Sequence, residues 1–211
     1  MTESTIHLKG DEYEVYNTRN PMLRLLNARF LSAVSNALMS ISASDLLGLD
    51  IGCGEGQMLD DLRARGSVGS ITAVDLDMQR LSRARNRNPK AVYVGSDVNL
   101  LPFPDGAFDY VLAAEVLEHL PDPGRAMREL MRVTKTGAKL VATVPHEPYF
   151  HWGNLVRGKH RDNGGWTPAH VNRWRREEFR RFLERFASVE TEARLATFPW
   201  LLCVASLGGG E

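Results

Sequence analysis

The stretch Leu46-Leu47-Gly48-Leu49-Asp50-Ile51-Gly52-Cys53-Gly54-Glu55-Gly56 decides the fold of this 211-residue chain. Its apolar half reads as a buried strand, and Gly52 opens a glycine-rich turn ahead of a short helix over Met58 to Arg65 that stops at Gly66. Glycine lets the backbone turn sharply and approach a ligand, and the helix start just beyond offers free N–H groups to an anion. On its own, Gly-x-Gly-x-Gly also suits a plain strand-to-helix connection. The residues around it have to decide.

Working outward, Ile71 to Val74 reads as a second strand that ends at Asp75. An acidic side chain at that place can accept hydrogen bonds from both hydroxyls of a ribose. Asp75 and Asp77 both also suit the cap of the helix running to Arg87; Asp75 is taken as the ribose ligand and Asp77 as the cap. Ala91 to Val94, Phe108 to Ala114 and Ala138 to Val144 read as further strands, the last after a Lys135-Thr136-Gly137 turn, with a helix over Asp122 to Val133. Upstream, Asn20-Pro21 looks like a cap and first helical residue, and Leu23, Leu26, Phe30, Val34 and Leu38 recur at helical spacing, which predicts a helix over 21–40. Alternating strands and helices point to a parallel sheet covered on both faces. The tail differs: a helix over Glu177 to Phe186 precedes two strands, Ser188 to Arg194 and Trp200 to Leu207, joined too closely to be anything but antiparallel.

Four segments now stand in a characteristic order: Leu49 to Gly56; Ala73-Val74-Asp75-Leu76; Gly95-Ser96-Asp97-Val98; and Leu101-Pro102-Phe103-Pro104-Asp105-Gly106-Ala107-Phe108-Asp109. A fifth, Glu115-Val116-Leu117-Glu118-His119, ends the fourth strand. With them the chain resembles the class I S-adenosylmethionine-dependent methyltransferases, in particular the small-molecule enzymes of ubiquinone and menaquinone biosynthesis, closely over about 46–144. The resemblance implies an α/β, Rossmann-like fold: a seven-stranded, mainly parallel sheet with helices on both faces and a C-terminal antiparallel hairpin. It implies S-adenosyl-L-methionine as cofactor and S-adenosyl-L-homocysteine as product. Gly52, Cys53 and Gly54 are expected along the methionine part, Asp75 on the ribose, Leu76 against the adenine, and Asp97 on the adenine amine beside the Val98 backbone. The carbonyl of Ala114 or its neighbour is expected to meet the methionine amine, and Asp50 to orient the loop or reach that amine through water. In relatives a segment like Tyr13 to Arg19 folds over the cofactor. Tyr16 and Arg19 are the candidates here, against a plain packing role for Tyr13 and Tyr16.

Glu115, Glu118 and His119 stand where an acceptor approaches the methyl group. A matching Glu-x-x-Glu-His binds a divalent metal in ubiquinone-pathway O-methyltransferases and in small-RNA 2′-O-methyltransferases, and the latter add a later histidine with the spacing of His170 before Trp174 and Arg176. His119 is therefore open to three roles: general base, metal ligand or packed structural histidine. His119 is named as the catalytic candidate; the metal question stays open. The stretch Pro145 to Trp174 lacks strong periodicity, is long for a plain connector, and holds four of the six histidines and three of the four tryptophans. It reads as a substrate-side lid over 145–175, in a single domain over 1–211 with a helical cap over 1–40. Arg173, Arg175, Arg176, Arg180, Arg181 and Arg185, interleaved with Glu177, Glu178 and Glu184, read as a solvated helix face rather than a phosphate-binding patch.

Composition narrows the classes. Lys+Arg and Asp+Glu are 26 each, so there is no overall basic footprint of the kind that general nucleic-acid binding rests on. The two cysteines lie far apart without a CxxC pattern, so neither a disulfide framework nor a zinc knuckle is expected. No stretch has the roughly 20 apolar residues of a membrane span, and Met1 to Asp11 lacks the apolar core of a signal peptide; the expectation is a soluble, cytoplasmic protein, monomer or homodimer. The favoured function is methylation of a small-molecule acceptor on oxygen, nitrogen or carbon. The rivals are a metal-assisted RNA 2′-O-methyltransferase, a non-catalytic cofactor-binding protein and a nicotinamide oxidoreductase; the terminal hairpin and the Asp97 and Leu101–Pro104 segments speak against the last.

Overall fold

Successive side chains of a strand point to opposite faces, and here both faces are apolar along most strands. The computed structural model describes residues 18–41, 45–66, 69–156, 158–193 and 199–208. In chain order these form α1 (Pro21–Ile41), β1 (Leu47–Ile51), α2 (Gln57–Arg65), β2 (Ser70–Asp75), α3 (Met78–Arg87), β3 (Val92–Gly95), β4 (Phe108–Ala114), α4 (Pro123–Val133), β5 (Thr134–Pro145), α5 (Tyr149–Val156), α6 (Arg176–Glu184), β6 (Ala187–Ala193) and β7 (Trp200–Leu207). Short 3₁₀ turns lie at Leu117–His119 and Arg161–Asn163.

The strands make one seven-stranded sheet in the order β3-β2-β1-β4-β5-β7-β6. β1 to β5 run parallel, and β7 runs antiparallel to both β5 and β6. Alternate residues feed two cores. Leu49, Ile51, Val111, Ala113, Leu140 and Ala142 pack with α4 and α6 on one face, while Ala73, Tyr110, Leu112 and Val141 pack with α1, α2 and α3 on the other. The expected fold class is observed. No helix among the described residues is long and apolar enough to cross a membrane.

The helix starts follow from their caps. Asn20 Oδ1 accepts from the N–H groups of Met22 and Leu23 at 2.9 and 3.4 Å. Asp77 Oδ1 accepts from Gln79 and Arg80 at 2.8 and 3.2 Å, and Asp122 Oδ1 from Arg125 at 2.9 Å ahead of Pro123.

Two local expectations change. The fifth strand begins at Thr134 rather than after the 135–137 turn; that turn survives as a slip in register, where Phe108 pairs with Thr134 but Tyr110 with Lys139. Gly137, at φ +78°, absorbs it. The stretch 145–174 is not a plain loop, since it carries α5. That helix is anchored by a polar residue: buried Asn154 donates from Nδ2 to Gly165 O and Thr167 Oγ1, both at 3.1 Å. An amide anchor leaves no apolar period to read. The expected 196–199 connection lies outside the described residues except for Pro199.

Candidate functional site

The glycine turn crosses the C-terminal end of β1 with Gly52, Gly54 and Gly56 at φ +63°, +55° and +81°. A Cβ on Gly52 would stand 2.4 Å from Val116 Cγ2 and one on Gly56 3.3 Å from Ala84 Cβ, whereas one on Gly54 would meet nothing within 4 Å. Gly52 and Gly56 are thus packing glycines, and Gly54 faces open space.

Asp75 fixes the turn from the neighbouring strand. Its Oδ2 accepts from Gly54 N and its Oδ1 from Asp77 N, both at 2.9 Å, while Cys53 N donates to Val74 O at 3.0 Å. Asp50 lies beneath the turn, 3% exposed. Burial, reinforced by the nearby Asp75 charge, pushes its pKa up to about 8. Burial and the same two carboxylates push the Cys53 thiol up as well. Leu76 is exposed beside the turn. Asp97 is exposed, its Oδ1 accepting from Asn99 N and Nδ2 at 2.9 Å, and Val98 is buried. Ala114 is half-buried at the end of β4, and Arg19 is exposed ahead of α1. Tyr13 and Tyr16 lie outside the described residues.

The segment after β4 makes a second cluster. Glu115, at φ +58°, donates from its backbone to Thr143 O at 3.1 Å and accepts at Oε1 from Thr143 Oγ1 at 3.0 Å. Glu118 is 1% exposed. His119 Nε2 lies 4.0 Å from Glu118 Oε1, and its ring packs edge-on against His170 with centroids 5.1 Å apart. One ligand atom from each of Glu118, His119 and His170 falls within 4.8 Å of the others. One carboxylate and two imidazoles are a workable donor set for a divalent ion. Glu115, expected in that set, turns to Thr143 instead.

His119 Nδ1 lies 3.0 Å from Ala169 O. A carbonyl only accepts, so Nδ1 carries the hydrogen and Nε2 is the basic nitrogen of the neutral ring.

Asn172 clips this turn to the 145–175 segment: its N donates to Glu118 O at 3.0 Å, and its Nδ2 to Leu117 O and Leu120 O at 3.2 and 2.7 Å. The base of the segment is closed by a bridge between His146 and Trp174, with Glu147 N donating to Trp174 O at 2.9 Å. Burial and the Arg176 charge hold the His146 pKa below the usual histidine range. Its aromatics divide. Trp174 packs on Phe179 and Phe182, His151 stacks on Trp166 at 4.0 Å, and Phe150 reaches His170 at 5.7 Å; Tyr149 and Trp152 stay exposed.

Sequence reasoning missed the Asn172 clip and the brace on the Leu101–Asp105 loop. Arg132 donates to Leu101 O at 3.0 Å and Phe103 O at 2.9 Å, and also to Glu129, whose Oε1 accepts from Leu101 N at 2.8 Å. No local pattern marks either residue.

Residues 49–142 match the methyltransferase-domain family. The chain is 34% identical over 109 residues to 27-O-demethylrifamycin SV methyltransferase from Amycolatopsis mediterranei, covering 49% of this chain and 39% of that protein. It is 32% identical over 141 residues to 2-phytyl-1,4-naphtoquinone methyltransferase from Nostoc punctiforme, covering 64% and 61%. The chain thus spans less than two thirds of these curated relatives. A SAM-dependent methyltransferase structure from Aquifex aeolicus shares the fold, with a TM-score of 0.67 at 21% identity over 94% of this chain and 100% of that one. The matched region holds the glycine turn, Asp75, Asp97 and the Glu115–His119 segment, and stops short of His170. Residues 49–142, somewhat under half of the chain, are thus similar to a methyltransferase domain, and the seven-stranded sheet has the fold of the Aquifex aeolicus structure.

Proposed function

We propose that the protein moves the methyl group of S-adenosyl-L-methionine to an oxygen, nitrogen or carbon of a small-molecule acceptor, releasing S-adenosyl-L-homocysteine. The observation that carries the reading is the Asp75 carboxylate clamped across the turn at Gly54 N and Asp77 N, beside a glycine that opens onto free space. In this reading Gly52, Cys53 and Gly54 flank the methionine part, with the Ala114 carbonyl toward its amine. Asp75 holds the ribose, Leu76 covers the adenine, and Asp97 with the Val98 backbone meets the adenine edge. Asp75 supplies negative charge near a cationic cofactor, and buried Asp50 orients the loop beneath it. Tyr16 and Arg19, in the cap over 1–40, close over the methionine end.

Methyl transfer is an in-line displacement: the S–CH₃ bond breaks as the acceptor–CH₃ bond forms, and the sulfonium becomes a thioether. The protein's part is alignment and exclusion of water. His119 Nε2 takes the proton from a hydroxyl or amine acceptor, and Asn172 with Ala169 O holds the ring in place. The segment 145–175 acts as a lid, with Phe150 and Trp152 against a flat or apolar acceptor; the phytyl-naphthoquinone and rifamycin substrates in the relatives' names have that character. The protein works in the cytoplasm as a monomer or homodimer, without nucleic acid.

The Glu118–His119–His170 cluster favours one second reading, in which these three residues would hold a divalent ion that would supply Lewis-acid polarisation of an acceptor hydroxyl, as expected of an RNA 2′-O-methyltransferase. Calorimetry should give tight S-adenosyl-L-homocysteine binding and none for NAD, and a screen with methyl-labelled cofactor should name the acceptor. His119→Ala should lower turnover by about 10²-fold or more with S-adenosyl-L-homocysteine affinity unchanged. NAD binding in place of S-adenosyl-L-homocysteine would sink the first reading; activity lost to a chelator and restored by Mg²⁺ or Mn²⁺ would establish the second.

A further inference from the structure

The arginine-rich helix divides into two unlike rows. Arg176 bonds Glu192, and Arg180 Nε lies 2.8 Å from Glu184 and 3.7 Å from Glu192, so this row is neutralised. Arg181 and Arg185 stand one turn apart on the adjacent row, and both are exposed. Arg181 Nε donates to the Glu177 carbonyl at 3.2 Å, and the Arg185 guanidinium lies 5.4 Å from the Phe186 ring. Among the described residues neither pairs with a carboxylate.

Both line a groove of about 510 Å³ between α4 and α6, with Arg128 on the opposite wall and Trp174 and Phe182 also lining it. The two rings pack together with centroids 4.9 Å apart. Two acids share the lining and both serve helix caps: Asp122 Oδ1 accepts from Arg125 N at 2.9 Å while its Oδ2 lies 3.9 Å from Arg128 Nη2, and Glu178 Oε2 accepts from Arg175 N at 2.9 Å. Three guanidinium groups against two carboxylates leave the groove one positive charge in excess, carried on the Arg181 and Arg185 side, although the whole chain is neutral.

We infer that this groove binds a small anion bearing phosphate or carboxylate groups, with a flat apolar part against Trp174 and Phe182. The volume falls in the range of small-ligand sites, about 300–1,000 Å³. Planar guanidinium forks match the oxygens of phosphate and carboxylate, and an aromatic base adds area for an attached ring or chain. None of the lining residues belongs to the glycine turn or to the Glu118–His119–His170 cluster. The site is therefore separate from methyl transfer, though Trp174 also closes the base of the 145–175 segment.

The test is calorimetric titration of the full chain, saturated with S-adenosyl-L-homocysteine, with pyrophosphate in one arm and citrate in the other. One of the two should bind, and the stronger tells phosphate from carboxylate chemistry. Arg181→Glu/Arg185→Glu should weaken that binding by about tenfold or more, and Arg128→Gln should weaken it from the opposite wall. Arg180→Ala, in the neutralised row, should leave it unchanged. No binding of either anion to the saturated protein, or wild-type binding by the double variant, would overturn the proposal.

Discussion

The two halves of the candidate site are built in different ways. At the glycine turn, contacts join the ends of neighbouring strands β1 and β2, so the sheet itself delivers Gly54 to Asp75. At the Leu117–His119 turn the geometry comes from residues some 50 positions away: Ala169 on His119, and Asn172 on Leu117 and Leu120. The first half is fixed by the pairing of the sheet, while the second depends on a long segment docking correctly. Damage to the first should appear in cofactor affinity and stability; damage to the second should appear in turnover.

The sharpest way to break this comparison is Gly52→Val. A β-branched residue at φ +63° combines left-handed strain with a collision at Val116, and should cost about 3 kcal/mol or more. Urea unfolding with an S-adenosyl-L-homocysteine titration checks it, and a stable variant with intact affinity would mean the turn is not held by the sheet. Next comes Asp75→Ala, expected to lose about 2–4 kcal/mol of cofactor binding if, as proposed, the carboxylate that clamps the turn also meets the ribose. Unchanged affinity would move the ribose role to Asp77.

Asn172→Ala sharpens the other side. It removes hydrogen bonds to Leu117 O and Leu120 O and should lower stability by about 1–2 kcal/mol. Turnover should fall and S-adenosyl-L-homocysteine affinity should hold; loss of affinity instead would show the two halves are one unit. The smallest effect concerns protons. With its pKa at about 8, Asp50 is mostly protonated at pH 7 in the free protein. A cation bound above it lowers that pKa, so S-adenosyl-L-methionine binding should release part of a proton and tighten as pH rises from 6 toward 8. Binding heats in buffers of different ionisation enthalpy should reveal the release, and Asp50→Asn should abolish it.

The contrast also explains what could be read in advance. Gly52 to Gly56, Asp75, Asp77 and the strands around them are legible because apolar runs, glycines and caps are local signals. Gly48 was not explained by any local signal: its place next to Tyr110, where a Cβ would stand 2.3 Å from the ring, exists only once β1 and β4 pair. Helix α5 escaped because Asn154 rather than an apolar stripe anchors it. Trp174 could be placed among the lid aromatics but not on Phe179 and Phe182, and the arginine run gave no hint that its two rows differ. Each of these depends on distant residues meeting.

The position of β7 bears on how the protein is made. It is the last strand among the described residues, yet it lies inside the sheet with β5 on one side and β6 on the other. During synthesis β1 to β5 emerge first and can pair in sequence, whereas β6 has no strand to join until β7 has left the ribosome. Until then β5 presents an open edge along Leu140 to Val144, a template for pairing with other chains. Translation speed and chaperone contact while β6 and β7 emerge should therefore govern the soluble yield more than the folding of the parallel part.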